Sequence, residues 1–274
     1  MNWTRAVAWS CLFFLPLSIL PDAASAADKP YITLASTTST QNSGLFDHIL
    51  PLFSAKTGIA VRVVAVGTGA ALRLARNGDA DVLLVHHRPS EDAFVDEGFG
   101  VKRHPLMHND FVLVGPQADP AGIVGGRDAG QAFKRIAETR APFVSRGDDS
   151  GTHKRELEIW RRAAVDTTAH SGTWYRETGS GMGAALNTAS AMSAYTLSDR
   201  GTWLGFRNKR QLAVLVEGEA GLINSYGVVV VAAEHHPHVK QALGQRFVDW
   251  LLSAAGRDAI AGHRIDGQQL FFPD

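Results

Sequence analysis

Short apolar β runs alternate with helical segments between residues 31 and 87, and this alternation restricts the chain to a small group of folds. YITLAS has the composition of a strand and ends in a cluster of hydroxyl residues at 36–40, which is predicted to be a loop. SGLFDHILPLFSAKTG then places apolar residues at helical spacing. IAVRVVAV and DVLLVHH are further predicted strands, with the helix former AALRLARNG between them. Strands that alternate with helices predict a parallel sheet covered by helices on both faces.

The same pattern restarts after VKRHPLMHNDFVLVGP. Predicted helices lie near DAGQAFKRIAET, HKRELEIWRRAA and GSGMGAALNTASAM, predicted strands are APFVS, LAVLVEG and SYGVVVVAA, and the closing helices lie in HVKQALGQRFVDWLLSAAGRDAI. The sequence therefore predicts two α/β units, with the chain crossing between them near residues 110–115 and 222–228. Because no low-complexity tract or long linker separates the units, we expect them to lie close together with a cleft between them.

The amino-terminal segment predicts export. Arg5 precedes the mostly apolar run VAWSCLFFLPLSIL, and ASA at 24–26 has the small-residue form that a signal peptidase accepts. Residues 1–26 are therefore a predicted signal peptide, and the mature chain begins near Ala27. The only cysteine, Cys11, lies inside the apolar run, which leaves the mature protein without disulfide or thiolate chemistry. A chain of about 250 residues is long enough to fold around ordinary apolar cores.

The charge distribution excludes two classes of partner. The chain has 27 basic and 27 acidic residues spread along its length, with neither a basic stripe for nucleic acid nor a membrane-binding run. After the signal peptide, no stretch approaches the roughly 20 apolar residues of a membrane helix. The sequence therefore predicts a soluble protein that is not embedded in a membrane and does not bind nucleic acid.

The stretch FVSRGDDSGTHKRE combines a cation, two acids and several neutral donors at a predicted helix start. Ser150 or Asp149 can cap the helix that begins near Gly151, whose first turn offers free backbone N–H groups and the positive end of the helix dipole. Such a helix start binds anions readily. Arg146 adds a planar fork of donors suited to a tetrahedral oxyanion, and the hydroxyls of Ser150 and Thr152 add neutral donors.

Three more clusters of small polar residues lie at predicted strand-to-helix junctions. They are the hydroxyl cluster 36–40, Gly67-Thr68-Gly69, and GSGMG at 179–183. In sheets of this kind, ligands collect at the carboxyl ends of the strands beside helix starts. Helix capping explains any one cluster. Four clusters at such junctions favour a site that surrounds a small anion with donors.

Seven motifs carry a resemblance to a known family. In chain order they are LASTTSTQNSGL, VGTGAAL, NGDADVLLVHH, FVSRGDDSGTHKRE, TGSGMGAALNTA, AYTLSDRGTW and NSYGVVVV. Together they resemble the TupA family, the periplasmic tungstate-binding proteins of ABC importers, over essentially the whole mature chain. The resemblance implies an α/β, two-lobed type II periplasmic-binding-protein fold with the ligand cleft between the lobes. Lobe 1 is residues 27–110 plus 226–274, and lobe 2 is the inserted stretch 111–225.

The resemblance also implies a function and a set of contacts. The protein is expected to be a periplasmic monomer and not an enzyme, to capture tungstate or molybdate, and to deliver it to a membrane permease driven by a cytoplasmic ATPase. No cofactor and no bound cation are expected, since tungsten enters only as the oxyanion. The family's oxyanion contacts map onto Thr37, Thr38, Ser39, Thr68, Gly69, Arg146, Ser150, Gly151, Thr152, Met182 and Gly183.

The choice of anion stays open at this point. The spacing R-x-D-x-S-G-T from Arg146 to Thr152 is also similar to periplasmic phosphate-binding proteins, in which the acid orients the arginine. Phosphate keeps a proton at neutral pH and needs an acceptor, whereas tungstate and molybdate need donors only. An unpaired carboxylate facing the ligand would therefore favour phosphate. The simplest interpretation makes Asp148 the partner of Arg146 and Asp149 a charge at the helix end.

Two other functions must be weighed. A sensory receptor that hands its signal to a membrane kinase would have the same chemistry at its site. An exported hydrolase would use Ser150 with the nearby His153, but the sequence has no G-x-S-x-G elbow and no evident acid to orient that histidine. His86 and His87 follow a predicted strand and could line the cleft, but a structural or exposed role is the favoured interpretation.

Overall fold

The computed structural model describes residue 1 and residues 29–274. The predicted signal peptide lies almost wholly outside the described residues, as does Cys11. The first part of the fold contains β1 (Tyr31–Thr37), α1 (Thr38–Asn42), α2 (Leu45–Thr57), β2 (Ala60–Val66), α3 (Thr68–Arg76), β3 (Val82–Val85), α4 (Arg88–Asp96) and β4 (Gly100–Pro116).

The second part of the chain continues the alternation and then returns to the first. Its elements are α5 (Ala129–Thr139), β5 (Phe143–Ser145), α6 (Gly151–Arg162), β6 (Tyr175–Glu177), α7 (Met182–Met192), β7 (Thr196–Asp199), α8 (Arg200–Gly205) and β8 (Leu212–Val216). Two single 3-10 turns lie at Thr168–His170 and Ala220–Leu222. The returning elements are β9 (Ile223–Val231), α9 (Gln241–Leu252), α10 (Ala254–Gly262), β10 (Arg264–Ile265), β11 (Gln268–Gln269) and β12 (Phe272–Pro273).

The main sheet is mixed. Its order is β12-β4-β9-β3-β1-β2, with β1 parallel to β2 and β3 but with β9 antiparallel to both β3 and β4. The parallel sheet predicted from residues 31–87 is therefore confirmed for β1 to β3, and β4 and β9 extend it as antiparallel strands. The reason is that β4 leads the chain away from this sheet and β9 leads it back, so these two strands run in opposite directions side by side.

Strand β4 belongs to both parts of the fold. Its residues up to Asp110 pair with β9, and from Phe111 onward it pairs with β7 and β8 instead. The change of partner occurs between two adjacent residues of one 17-residue strand. The chain therefore passes from one part to the other without a linker.

In residues 29–274, four apolar clusters form the core. One packs α2, α9 and α10 on one face of the main sheet, with Phe53 edge-to-face on Phe247, and a second packs α3 and α4 on the other face around Phe94. A third centres on Trp160 of α6 and a fourth on Leu186 of α7. The first two clusters draw on residues 32–107 and 226–271, and the other two on residues 111–222. The exact lobe boundaries stay a prediction.

No helix within residues 29–274 combines the length and the hydropathy needed to cross a membrane.

Candidate functional site

The hydroxyl cluster after β1 is a short helix, α1, where a loop was expected. Thr37 caps this helix, because its Oγ1 accepts a hydrogen bond from the Thr40 backbone N–H at 3.3 Å. The same Oγ1 lies 2.7 Å from Thr40 Oγ1 and 3.1 Å from Ser39 Oγ. Thr38 begins the helix and Ser39 is buried. The consecutive hydroxyls that suggested a loop thus supply the hydrogen bonds that start the helix.

Thr68 and Gly69 are the first two residues of α3. Gly67 occupies the cap position without a side chain to bond the first turn, so the backbone N–H groups there have no capping partner of that kind. Thr68 is completely buried, and its Oγ1 has no hydrogen-bond partner among the described residues. A buried hydroxyl without a partner is uncommon, because each costs free energy.

Arg146 directly follows β5 and is almost completely buried, with 2% of its surface exposed. Its Nη2 donates to Asp148 Oδ2 at 2.6 Å, while its Nε has no partner in the described part of the chain. Burial raises the pKa of Asp148, but the Arg146 guanidinium and hydrogen bonds from Ser150 and Arg146 outweigh it and hold this pKa below its usual value. Asp148 therefore stays ionised and orients Arg146, which agrees with the interpretation made from the sequence.

The start of α6 lies beside Arg146. Ser150 caps the helix by accepting from the His153 backbone N–H at 3.2 Å, and Gly151 is its first residue. Thr152 is completely buried, and its Oγ1 has no hydrogen-bond partner in residues 29–274. The helix start is tied to the guanidinium through Asp148, whose Oδ1 accepts from the Ser150 backbone N–H at 3.3 Å and whose Oδ2 accepts from Arg146.

The fourth cluster leads into α7. Ser180 donates its backbone N–H to the Arg146 carbonyl at 3.1 Å, which ties this segment to the arginine. Met182 and Gly183 begin the helix, but the Met182 side chain is buried in the apolar cluster around Leu186. Any contribution of Met182 to an anion site therefore comes from its backbone N–H.

Close contacts join the clusters to one another. A Cβ atom placed on Gly69 would overlap the Asp149 carboxylate, and one placed on Gly151 would come within 2.6 Å of the His86 ring. His86 Nε2 in turn lies 3.3 Å from Ser39 Oγ. The starts of α1 and α3 therefore meet the start of α6. Within residues 29–274, six buried side-chain polar atoms lack a partner, and three of them belong to predicted contacts: Thr68 Oγ1, Arg146 Nε and Thr152 Oγ1.

The carboxylates near Arg146 all have partners. Asp148 accepts from Arg146, and Asp149 forms an ion pair with Lys154 while its backbone N–H donates to His153. Asp199 caps α8, and each of its oxygens accepts from Thr202 at 2.8 Å. Both oxygens of Asp148 and of Asp199 are thus engaged, whereas Asp149 is paired through Oδ1 only and its Oδ2 lies against Gly69.

The polar network around His86 was not predicted from the sequence. His86 Nδ1 lies 2.9 Å from Asn224 Oδ1, and Asn224 Nδ2 donates to Asn109 Oδ1 at 2.7 Å. His86 thus shares one buried polar network with Asn109 and Asn224, which lie next to the two places where the chain crosses between the units. The only available sequence signal was the position of His86 directly after an apolar strand, where a side chain reaches the edge of the sheet that carries the ligand.

The Ser150–His153 pair lacks the geometry of an activated serine. His153 Nδ1 accepts from the Asp149 backbone N–H at 3.1 Å, and Ser150 Oγ accepts from the His153 backbone N–H. In the described part of the chain, neither contact joins the imidazole to the hydroxyl, as a serine nucleophile requires. Among residues 29–274, no three His, Cys, Asp or Glu side chains come together as a metal site.

Glu156, one turn into α6, is a buried acid whose titration can be tested. Its Oε1 accepts from Trp160 Nε1 at 3.1 Å and from the Tyr175 hydroxyl at 2.8 Å. Burial raises the pKa of Glu156 to about 8, although these hydrogen bonds oppose the rise. The folded state therefore holds a proton between about pH 4.5 and 8 that the unfolded state releases, and the free energy of unfolding falls as pH rises through this range.

We expect Glu156→Gln to raise the free energy of unfolding at pH 7 by about 2–3 kcal/mol, because the amide keeps the acceptor without the cost of protonation. Denaturant unfolding at pH 5, 6, 7 and 8 should show a gain that grows with pH. Glu138→Gln, an exposed position on α5, serves as the control and should show no such trend. A gain that is constant with pH, or a loss at pH 8, would show that Glu156 is ionised in the folded protein.

Comparisons with known proteins agree with this architecture. Residues 23–255 match the PBP superfamily domain. A Haloferax volcanii protein provisionally named an ABC transporter anion-binding protein is 48% identical over 248 residues, covering 89% of this chain and 72% of that protein. The tungstate-binding protein TupA of Peptoclostridium acidaminophilum is 42% identical over 250 residues, covering 90% of this chain and 86% of that protein.

A solved structure extends the agreement to three dimensions. The tungstate-binding protein TupA of Desulfovibrio alaskensis G20 is 43% identical to this chain, with coverage of 89% of this chain and 99% of that one and a TM-score of 0.79. Sequence identity and fold thus point the same way over nearly the full described length. The chain therefore belongs to the PBP superfamily and, within it, to the TupA family.

Proposed function

We propose that this chain is an exported solute-binding protein that captures tungstate or molybdate between two lobes and delivers it to an ABC importer. It acts in the periplasm as a monomer, and its partners are a membrane permease and the cytoplasmic ATPase that drives it. The names of its relatives, which describe tungstate binding and anion binding for an ABC transporter, support this proposal. Those names describe binding proteins and not enzymes.

The observation that carries the proposal is the set of buried, unpaired donors at helix starts. Thr68 Oγ1, Arg146 Nε and Thr152 Oγ1 are buried without a partner among residues 29–274. Leaving a donor unpaired costs about 1–3 kcal/mol, and more for a charged group. A tetrahedral oxyanion accepts hydrogen bonds from several directions, so it can satisfy all three donors together with the first-turn amides. Binding thus offsets a cost that is built into the folded protein.

The same donors favour a fully deprotonated anion. Asp148 and Asp199 have both carboxylate oxygens engaged by donors of the protein, and the exposed Asp149 is paired with Lys154, so Asp148 and Asp199 offer no free acceptor to a protonated ligand. Hydrogen phosphate brings a proton that needs such an acceptor. Tungstate and molybdate carry no proton at neutral pH and need donors only. This supports tungstate or molybdate over phosphate.

We propose that the fold consists of two lobes. We assign residues 27–110 and 226–274 to lobe 1 and residues 111–225 to lobe 2, since the four apolar clusters divide in this way and β4 changes partner after Asp110. The contacts of Gly69 with Asp149 and of Gly151 with His86 then join one lobe to the other. Such contacts at the site are those of a closed cleft.

We expect tungstate to close the lobes in solution. Small-angle scattering of the mature chain should give a smaller radius of gyration with saturating tungstate than without it, because a ligand that contacts both lobes favours the closed arrangement. Calorimetric titration of the same sample checks that the site is filled. Sodium chloride at equal ionic strength is the control.

The two measurements separate the parts of the proposal. Heat of binding together with an unchanged scattering curve would argue against closure while leaving the binding function in place. No heat with either tungstate or molybdate would overturn the function itself.

A further inference from the structure

His86 occupies a central position that the predicted contacts leave out. It follows β3, is 6% exposed, and packs its ring at 4.8 Å from the ring of Tyr226. Its two ring nitrogens lie 3.3 Å from Ser39 Oγ and 2.9 Å from Asn224 Oδ1. The residue thus touches the hydroxyl cluster of lobe 1 and the strand by which the chain returns from lobe 2.

The hydrogen bonds fix which nitrogen of His86 carries the proton. Asn224 Nδ2 donates to Asn109 Oδ1 at 2.7 Å, so Asn224 Oδ1 faces His86 as an acceptor. With this orientation of the Asn224 amide, Nδ1 of His86 is the N–H and Nε2 is the acceptor. Ser39 accordingly donates its hydroxyl proton to His86. The hydroxyl is then held in one orientation, and the donor that Ser39 offers toward a ligand is its backbone N–H at the start of α1.

Burial keeps His86 in this neutral form. It lowers the pKa of His86 to about 4, and the nearby positive charge of Arg146 acts in the same direction, while the hydrogen bond to Asn224 opposes the shift. A neutral ring can rest against a helix start, whose partial positive charge would repel an imidazolium.

The start of α6 rests directly on this ring. A methyl group on Gly151 would lie 2.6 Å from His86 Cε1 and 2.8 Å from Nδ1, which is closer than such atoms approach. Gly151 is not in the left-handed region of backbone conformation, so space and not backbone geometry requires glycine here. His86, Gly151 and Phe111 also line a cavity of about 240 Å³ where the two lobes meet.

We propose that the His86 ring is the stop against which the start of α6 comes to rest when the lobes close, and that it thereby positions both Ser39 and Gly151 for the oxyanion. This inference rests on the proposed function, because it concerns how the same site is assembled. His86 acts through the groups that it positions. Its size and its fixed tautomer are the properties that matter.

The test changes the space available between Gly151 and the His86 ring. Gly151→Ala should weaken tungstate binding at least tenfold in calorimetric titration, because the added methyl meets the ring before the lobes close. His86→Ala/Gly151→Ala removes the obstacle and should bind tungstate more tightly than Gly151→Ala alone. A purely structural role for His86 predicts the reverse, namely that a second substitution in the core weakens binding further.

Two further variants guard the interpretation. Gly205→Ala, at the end of α8 with nothing within 4 Å of an added methyl, should bind as the wild type does. His86→Gln keeps one donor and one acceptor without the ring, so Gly151→Ala should cost less in the His86→Gln background than in the wild type. All variants are checked for native circular dichroism.

The outcomes separate the inference from the function on which it rests. If the wild type binds tungstate but Gly151→Ala binds equally well, or if the double variant is weaker than Gly151→Ala, His86 is not the stop. If the wild type does not bind tungstate or molybdate, the proposed function is wrong and this inference falls with it.

Discussion

Arg146→Ala is expected to weaken tungstate binding by about 2–5 kcal/mol, which is a loss of about 30-fold to 5,000-fold. Arg146 is 2% exposed, its Nη2 is held by Asp148, and its Nε has no partner among the described residues. Removing the guanidinium deletes a charge-assisted, desolvated contact and leaves the Asp148 carboxylate without its cation beside a dianion. Both effects act against the bound state. Calorimetric titration of a variant with native circular dichroism measures the loss.

Two controls define what the loss means. Arg161→Ala removes an exposed arginine from α6, the helix that follows Arg146, and should leave affinity within about twofold of the wild type, because a surface charge contributes little. Arg146→Lys should restore only part of the affinity, since an ammonium cannot reproduce the planar fork. A loss smaller than about threefold in Arg146→Ala would remove this residue from contact with the anion.

The choice of anion should appear in the melting temperature. A ligand that binds only the folded, closed protein stabilises it by mass action, by about 4 kcal/mol when its free concentration is a thousandfold above the dissociation constant. For a protein of this size that corresponds to a rise of roughly 8–16 °C. We expect a rise of this size with micromolar tungstate, an equal or smaller rise with molybdate, and almost none with phosphate or sulfate. Phosphate would bring a proton among donors, and the smaller sulfate would leave donors unmet.

The measurement needs purified protein, a dye and four sodium salts at equal ionic strength. If micromolar phosphate gives the largest rise in melting temperature, the R-x-D-x-S-G-T spacing marks a phosphate site and the proposed substrate is wrong. If none of the four salts moves the melting temperature, the oxyanion site itself is refuted.

Much of the fold could be predicted because its signals are local. The apolar spacing in 45–57 and 151–162 predicted α2 and α6, and the β runs at 60–66 and 82–85 predicted β2 and β3. The antiparallel course of β9 could not be predicted, because strand direction depends on where the chain returns from and not on the residues of the strand. The helix at Thr38–Asn42 was missed since its start depends on side-chain hydrogen bonds within a run of hydroxyls.

In the candidate site too, contacts between residues close in sequence could be predicted and contacts between distant residues could not. Arg146 and its partner Asp148 lie two residues apart, so their pairing could be inferred from spacing and a known motif. The network of His86, Asn224 and Asn109 joins residues 115 or more positions apart in sequence, and no short motif contains it. For Met182 the sequence correctly placed the residue at a helix start, but it could not show that the side chain packs in the core.

The position of β9 between β4 and β3 has a consequence for the order of events during folding. The main sheet stays in two pieces until residues 223–231 arrive, whereas the two clusters formed by residues 111–222 contain only contiguous chain. Contacts between residues close in sequence form sooner than those that must first close a long loop. Residues 111–222 can therefore become compact before β9 has joined the main sheet of the first part. In the export that we propose, with the amino terminus passing first, the first residues to emerge would be the last to complete their core.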